Sequence, residues 1–170
     1  RYPRHAPSRL LAALMAYEAN DPSRAVEHLD TGLALDPVQP EAVILRSRIS
    51  LEEGNVHFAR KLLQDQVAIV PNDAQLHETL SSAYFMGEDY DAALRQLDTA
   101  ERLGAKRGRL EYNRGVIQEG MGNSGVAAGH FKTAVTLMPY WPLPKARLEA
   151  LETGEVTNAQ AIAFPPPGTR

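Results

Sequence analysis

Four alanines, Ala25, Ala59, Ala93 and Ala127, stand at strict 34-residue intervals, and four residues after each comes a bulky side chain: Leu29, Leu63, Leu97 and Phe131. A period of this length is the mark of a supersecondary unit that cannot bury its apolar face alone and stacks on copies of itself. The prolines keep the same beat. Leu35-Asp36-Pro37 and Ile69-Val70-Pro71 are 34 residues apart, Leu137-Met138-Pro139 follows after twice that distance, and Leu103-Gly104 stands at the skipped place with a helix-ending glycine. The small-then-large pattern has a mechanical reading: two antiparallel helices approach closely only where one offers a small side chain, and the next turn fills the groove beside it.

Within each period the apolar residues recur at three- and four-residue spacing, as in Leu76, Leu80, Ala83, Tyr84 and in Ala93, Leu94, Leu97, Ala100, and no comparable period-2 run appears. Five residues before each alanine lies a turn: Asn20-Asp21-Pro22, Gly54-Asn55, Gly87-Glu88-Asp89 and Gly122-Asn123-Ser124. Glycine ends a first helix there, and Asp, Asn or Ser caps a second. Eight helices are expected at about 8–19, 22–35, 40–53, 56–69, 74–86, 90–103, 108–121 and 124–137, with a ninth near 143–152 whose Lys145, Arg147, Glu149 and Glu152 offer the polar outer face of a cap. The chain has 170 residues, 44% of them hydrophobic, which suffices for a packed core.

On these residues the sequence resembles the tetratricopeptide repeat (TPR) family, specifically bacterial TPR scaffold proteins. Its pattern of Gly or Ala, Tyr, Gly, Ala, Phe, Ala, Pro is approximated four times between about Ala6 and Trp141. The best copy is Ser81, Tyr84, Ala93, Leu97, Ala100, and Gly115 and Gly122 match family glycines in the fourth; in the first, Ala12, Ala13 and Ala16 replace larger residues. The resemblance implies an all-α solenoid of four antiparallel helix pairs. The expected layout is an N-terminal extension (1–7), four repeats spanning 8–141 (about 6–39, 40–73, 74–107 and 108–141), a capping helix (142–153) and an extended Pro-containing tail (154–170). It also implies that the first helix of each pair lines a concave groove. Carried over position by position, the groove is expected to present Leu14, Tyr17, Ile44, Arg48, Leu51, Phe85, Arg109, Tyr112 and Val116, an apolar stripe suited to a peptide or helical segment. The family's carboxylate clamp for chaperone C-termini is not expected, since Ile44 and Arg48 replace its Lys and Asn. Arg46 and Arg114 stand where the family has leucine, so each needs a carboxylate partner if buried.

Chemistry is sparse elsewhere. Gly120-Met121-Gly122-Asn123-Ser124-Gly125 matches a dinucleotide-binding fingerprint, but it falls in a turn between helices rather than after a strand. The five histidines show no metalloprotease spacing, no Gly-x-Ser-x-Gly elbow exists, and there is no cysteine, so catalysis, a metal site and a cofactor are not expected. Lys106, Arg107 and Arg109 cluster at the start of the seventh helix, where free backbone N–H groups make an anion site conceivable beside a solvated turn. A net charge of −3 argues against nucleic acid.

No run long enough to span a membrane occurs, and a first residue of arginine places any leader or anchor outside the sequence. Periplasm and cytoplasm both fit, with an envelope setting favoured. The first helix, apolar on nearly every face, is expected to be covered by an upstream helix, a second copy or the tail. In the tail, Ile162 and Phe164 before Pro165-Pro166-Pro167 are expected to dock on apolar helix surface as an internal competitor. The expected function is a non-enzymatic scaffold for a protein partner, assembling an envelope machine such as a pilus, secretion system or polysaccharide exporter. The alternatives are a regulatory or sensor subunit for a small anionic ligand and the targeting domain of a larger enzyme.

Overall fold

The computed structural model describes residues 6–154, and the tail expectation at Ile162 and Phe164 lies outside them. Helices α1 (Ala6–Glu18) and α2 (Pro22–Leu35), α3 (Pro40–Glu52) and α4 (Val56–Ile69), α5 (Ala74–Met86) and α6 (Tyr90–Arg102), and α7 (Arg107–Gly120) and α8 (Ser124–Leu137) form successive pairs, followed by α9 (Pro142–Thr153). The fold is an all-α TPR solenoid, with every helix end within two residues of its expected place.

Local chemistry repeats with the period. The side chains of Asp21, Asn55 and Asp89 accept hydrogen bonds from the backbone N–H groups of Arg24, Phe58 and Ala92, capping α2, α4 and α6. Asn123 holds the same place before α8, but its amide donates to Gln118 Oε1 instead. One residue earlier the chain must turn left-handed. Gly54 (φ 78°) and Gly122 (φ 81°) do so freely, whereas Asn20 and Glu88, both at φ 59°, occupy the same register as non-glycine residues. In the third repeat the strained position therefore falls on Glu88 and not on Gly87.

The small-to-large rule holds at the helix crossings. Ala13, Ser47, Ser81 and Gly115 are buried in one register, and Leu29, Leu63, Leu97 and Phe131 are buried in the other. Burying each large side chain stabilises the fold by about 1.5–3 kcal/mol. The fourth repeat takes the pair to its extreme: a Cβ on Gly115 would lie 2.5 Å from the Phe131 ring. One cluster joins Val43, Ile44, Leu51, Ala59 and Leu63 of the second repeat to Leu76, Leu80 and Ala83 of the third, so the core is shared between neighbouring repeats.

First helices also pack on one another, α1 on α3 and α3 on α5, while among the described residues no two second helices make comparable contact. The array therefore curves with its first helices inside. One departure from expectation concerns the cap. Arg147 does not face outward on the cap: it is 5% exposed, whereas Lys145 and Glu149 are on the solvent side and pair with each other at 3.6 Å. The outer face of α1 is uncovered by any described residue, with Leu11 60% and Met15 63% exposed.

Candidate functional site

The inner curve brings the expected groove residues onto one side of the array, yet it does not leave them as an exposed apolar stripe. Ile44, Leu51, Phe85, Tyr112 and Val116 are all buried, Tyr112 completely. The reason is curvature: with α3 packed on α5, their inward residues are covered by the neighbouring repeat, while on α7 Val116 clusters with Phe85 and Tyr112 is covered by Phe131 and Trp141. Tyr112 stacks against Trp141 with ring centroids 4.7 Å apart and against Phe131 at 5.7 Å. Leu14 and Tyr17, at the first repeat, remain half-exposed.

A chain of polar cross-ties takes the place of that stripe. The Tyr17 hydroxyl donates to Glu52 Oε1 at 2.6 Å, linking α1 to α3. Arg109 Nη2 lies 2.6 Å from Glu78 Oε2, and Asn113 Nδ2 donates to Glu78 Oε1 at 3.4 Å, linking α7 to α5. Arg147 Nη1 reaches Glu119 Oε1 at 3.3 Å, linking α9 to α7. Arg48 sits between the first two ties, nearly buried, and feels the charges of Tyr17, Glu52 and Arg109.

Burial sets the electrostatics of this row. Loss of hydration raises the Glu78 pKa above the usual carboxylate value in spite of Arg109, Asn113 and Arg48, each of which pulls it down. The same loss lowers the pKa of Arg48, against the favourable charges of Tyr17 and Glu52. Tyr17 is pushed up to about 12, first by burial and then by the Glu52 carboxylate that accepts its proton. Desolvation dominates each of the three, as expected for charges held in a narrow, partly dry concavity.

The basic turn does not assemble as one anion site. Arg109 points into the groove and is engaged by Glu78, Arg107 pairs with Glu111 at 3.6 Å, and Lys106 caps α7 through backbone position alone. The two arginines at leucine positions do find carboxylates: Arg46 meets Asp30 at 2.8 Å, and Arg114 meets Asp98 at 2.8 Å and Glu101 at 2.7 Å. Burial lowers the pKa of Arg114, and Glu101 and Asp98 more than reverse it. Sequence reasoning missed Glu52 and the inward aim of Arg147; the match of Arg147 to Asn113 at a spacing of 34 residues was the available clue. The glycine-rich run at 120–125 is the α7–α8 turn, and the described residues hold no group of three potential metal ligands. No helix among them is long and apolar enough to cross a membrane.

The repeat, the capping register and the inner row define a TPR array, and comparison agrees. A tetratricopeptide repeat sequence profile matches residues 16–83. A tetratricopeptide repeat match thus covers part of the chain, and the described residues have the fold of tetratricopeptide repeat proteins. Its fold is similar to that of TTC0263, a thermophilic TPR protein of Thermus thermophilus (TM-score 0.78, 23% identity, covering 88% of this chain and 82% of that one). It is also similar to PilF of Pseudomonas aeruginosa (0.74, 18%, 88% and 68%) and to MamA of Desulfovibrio magneticus (0.67, 21%, 80% and 77%). No curated protein sequence matches the chain.

Proposed function

We propose that this protein is a non-enzymatic scaffold that holds a peptide or helical segment of a partner protein along its concave surface. The observation that carries this reading is the inner row of Tyr17, Arg48, Glu78, Arg109 and Asn113. Charged groups withdrawn from water are costly, and apolar replacements of similar volume are commonly neutral or stabilising. Their concentration on the helices facing the concavity fits a recognition role, with Leu14 and Tyr17 as the half-exposed apolar contacts at one end. Ile44, Leu51, Phe85, Tyr112 and Val116 contribute by fixing the curvature on which those groups are mounted.

The test is site-specific photo-crosslinking from Gln75, exposed at the start of α5 and placed on the groove side by the family pattern, against Lys132, exposed on α8. The expected outcome is partner adducts from position 75 alone, lost in an Arg48→Ala/Arg109→Ala variant. Equal adducts from both positions, or adducts unaffected by the double variant, would remove the groove from the proposal. Assembly of a bacterial envelope machine is the setting we propose. PilF and MamA are among the fold's neighbours, a likeness that carries the fold, and cell fractionation of the tagged protein tests the setting. The anionic-ligand reading loses support because Arg107 and Arg109 are already engaged by carboxylates.

A further inference from the structure

Neighbouring first helices meet in two ways. α3 packs directly on α5, whereas α5 and α7 make no comparable contact and are bridged through side chains. Arg109 and Asn113 reach Glu78 across the gap, and Phe85 clusters with Val116 across it as well. A notch of about 10 Å³ is left there, lined by Ser82, Phe85, Asn113 and Val116 with Ser81 and Ile117. A space of that size holds one methyl-sized group and nothing larger. Its origin is legible in the 34-residue register Leu14, Arg48, Ser82, Val116, of which Ser82 is the short member. Where the third repeat has Ser82, the second has the long, nearly buried side chain of Arg48.

On the reading that a partner segment lies along the groove, we propose that this notch selects one residue of the segment by size, accepting alanine and rejecting anything larger. The walls suit a methyl group, since Phe85, Val116 and Ile117 are apolar. They are also held in place. The Phe85 ring stands against Tyr90 with centroids 5.9 Å apart, and a Cβ on Gly120 would lie 2.8 Å from it. Val116 and Ile117 belong to the core that the third and fourth repeats share, and Asn113 is tied to Glu78. Close-packed walls do not expand for an extra carbon, so valine overfills the notch and glycine leaves it empty.

The probe is a library of random peptides displayed on phage and selected on the full chain, with affinities of the selected peptides measured by fluorescence anisotropy. One peptide position is expected to be restricted to alanine. Its exchange for valine should weaken binding about tenfold or more, as overfilling a rigid apolar site does. Two small substitutions then reshape the notch in opposite directions. Val116→Ala returns two carbons of space and should make the valine peptide bind within about threefold of the alanine peptide; Ser82→Thr takes up one methyl and should shift the preference to glycine. Crosslinking from position 75 separates the two ways of failing. Peptides that crosslink there but show no restricted position, or a size preference indifferent to both variants, overturn the notch alone. A selection that yields no peptide, or peptides that give no adduct from position 75, overturns the groove reading and the notch with it.

Discussion

The first and fourth repeats share a backbone plan and differ in how they are filled. In the fourth, Gly115 admits the Phe131 ring, Arg114 spans to Asp98 and Glu101, and Tyr112 is sealed beneath Trp141 of the segment that follows. In the first, the equivalent residues are Ala13, Leu29, Ala12 and half-exposed Leu10, and a hollow remains. One contact shows the freedom the plan allows. The same cross-pair position, 19 residues apart in sequence, holds Arg9 with His28 at 3.1 Å, His77 with Gln96 at 2.7 Å and Glu111 with His130 at 2.8 Å, while the second repeat places Val43 and Leu62 there. A repeat needs its small-to-large crossing and its turn, and tolerates several chemistries elsewhere. What a neighbour covers is determined by the neighbour.

The filled side of this comparison should break hardest at Ala93, which has no exposed surface. Ala93→Leu is expected to cost about 3 kcal/mol by overpacking α5 against α6, and hydrogen exchange should show the loss reaching the second and fourth repeats. A thermal melt overlaying the wild type would mean that the helix pair is looser than it looks. Next, Gly115→Ala should cost about 2 kcal/mol through its collision with Phe131. Phe131→Leu in the same chain should recover much of that loss, because it recreates the Ala13 and Leu29 pairing of the first repeat. Strict additivity in this double-mutant cycle would show that the two residues do not share the strain.

Smaller effects sharpen the comparison. Glu88→Gly should gain about 1 kcal/mol by relieving the left-handed backbone that Gly122 adopts freely, read as a rise in denaturation midpoint with unchanged slope. Ala12→Leu should change stability by less than about 0.5 kcal/mol, since the hollow beside it has room. A cost comparable to that of Ala93→Leu would show the first repeat to be as tightly filled as the rest. The smallest effect is electrostatic. Tyr17 keeps its proton to about 12 in the folded chain, against 10.0 for an ordinary tyrosine. Between those values the unfolded chain loses this proton first, so stability falls as pH rises through the window. Tyr17→Phe should flatten that slope, and Glu52→Gln should move the Tyr17 absorbance transition to lower pH.

Most of the fold was legible in the sequence because its determinants are local and recur: apolar spacing gives each helix, Asp21, Asn55 and Asp89 cap in register, and the alanines mark where helices cross. The candidate site was legible only in part. Periodicity shows that Ile44, Glu78, Arg109 and Tyr112 belong on the inner helices, but a one-dimensional pattern carries no curvature. An expected exposed stripe became a buried one with Tyr17, Glu78 and Arg109 as polar cross-ties, because packing α3 against α5 removes from solvent a face that a single helix pair would expose. For the same reason Arg147 reads as surface in its own helix and is buried by the company it keeps. The sequence by itself determined the repeat, its period and its turns, all decided within about 34 residues; the tertiary structure alone decided which faces meet water, since solvent exposure depends on the neighbouring repeat and on how closely it approaches.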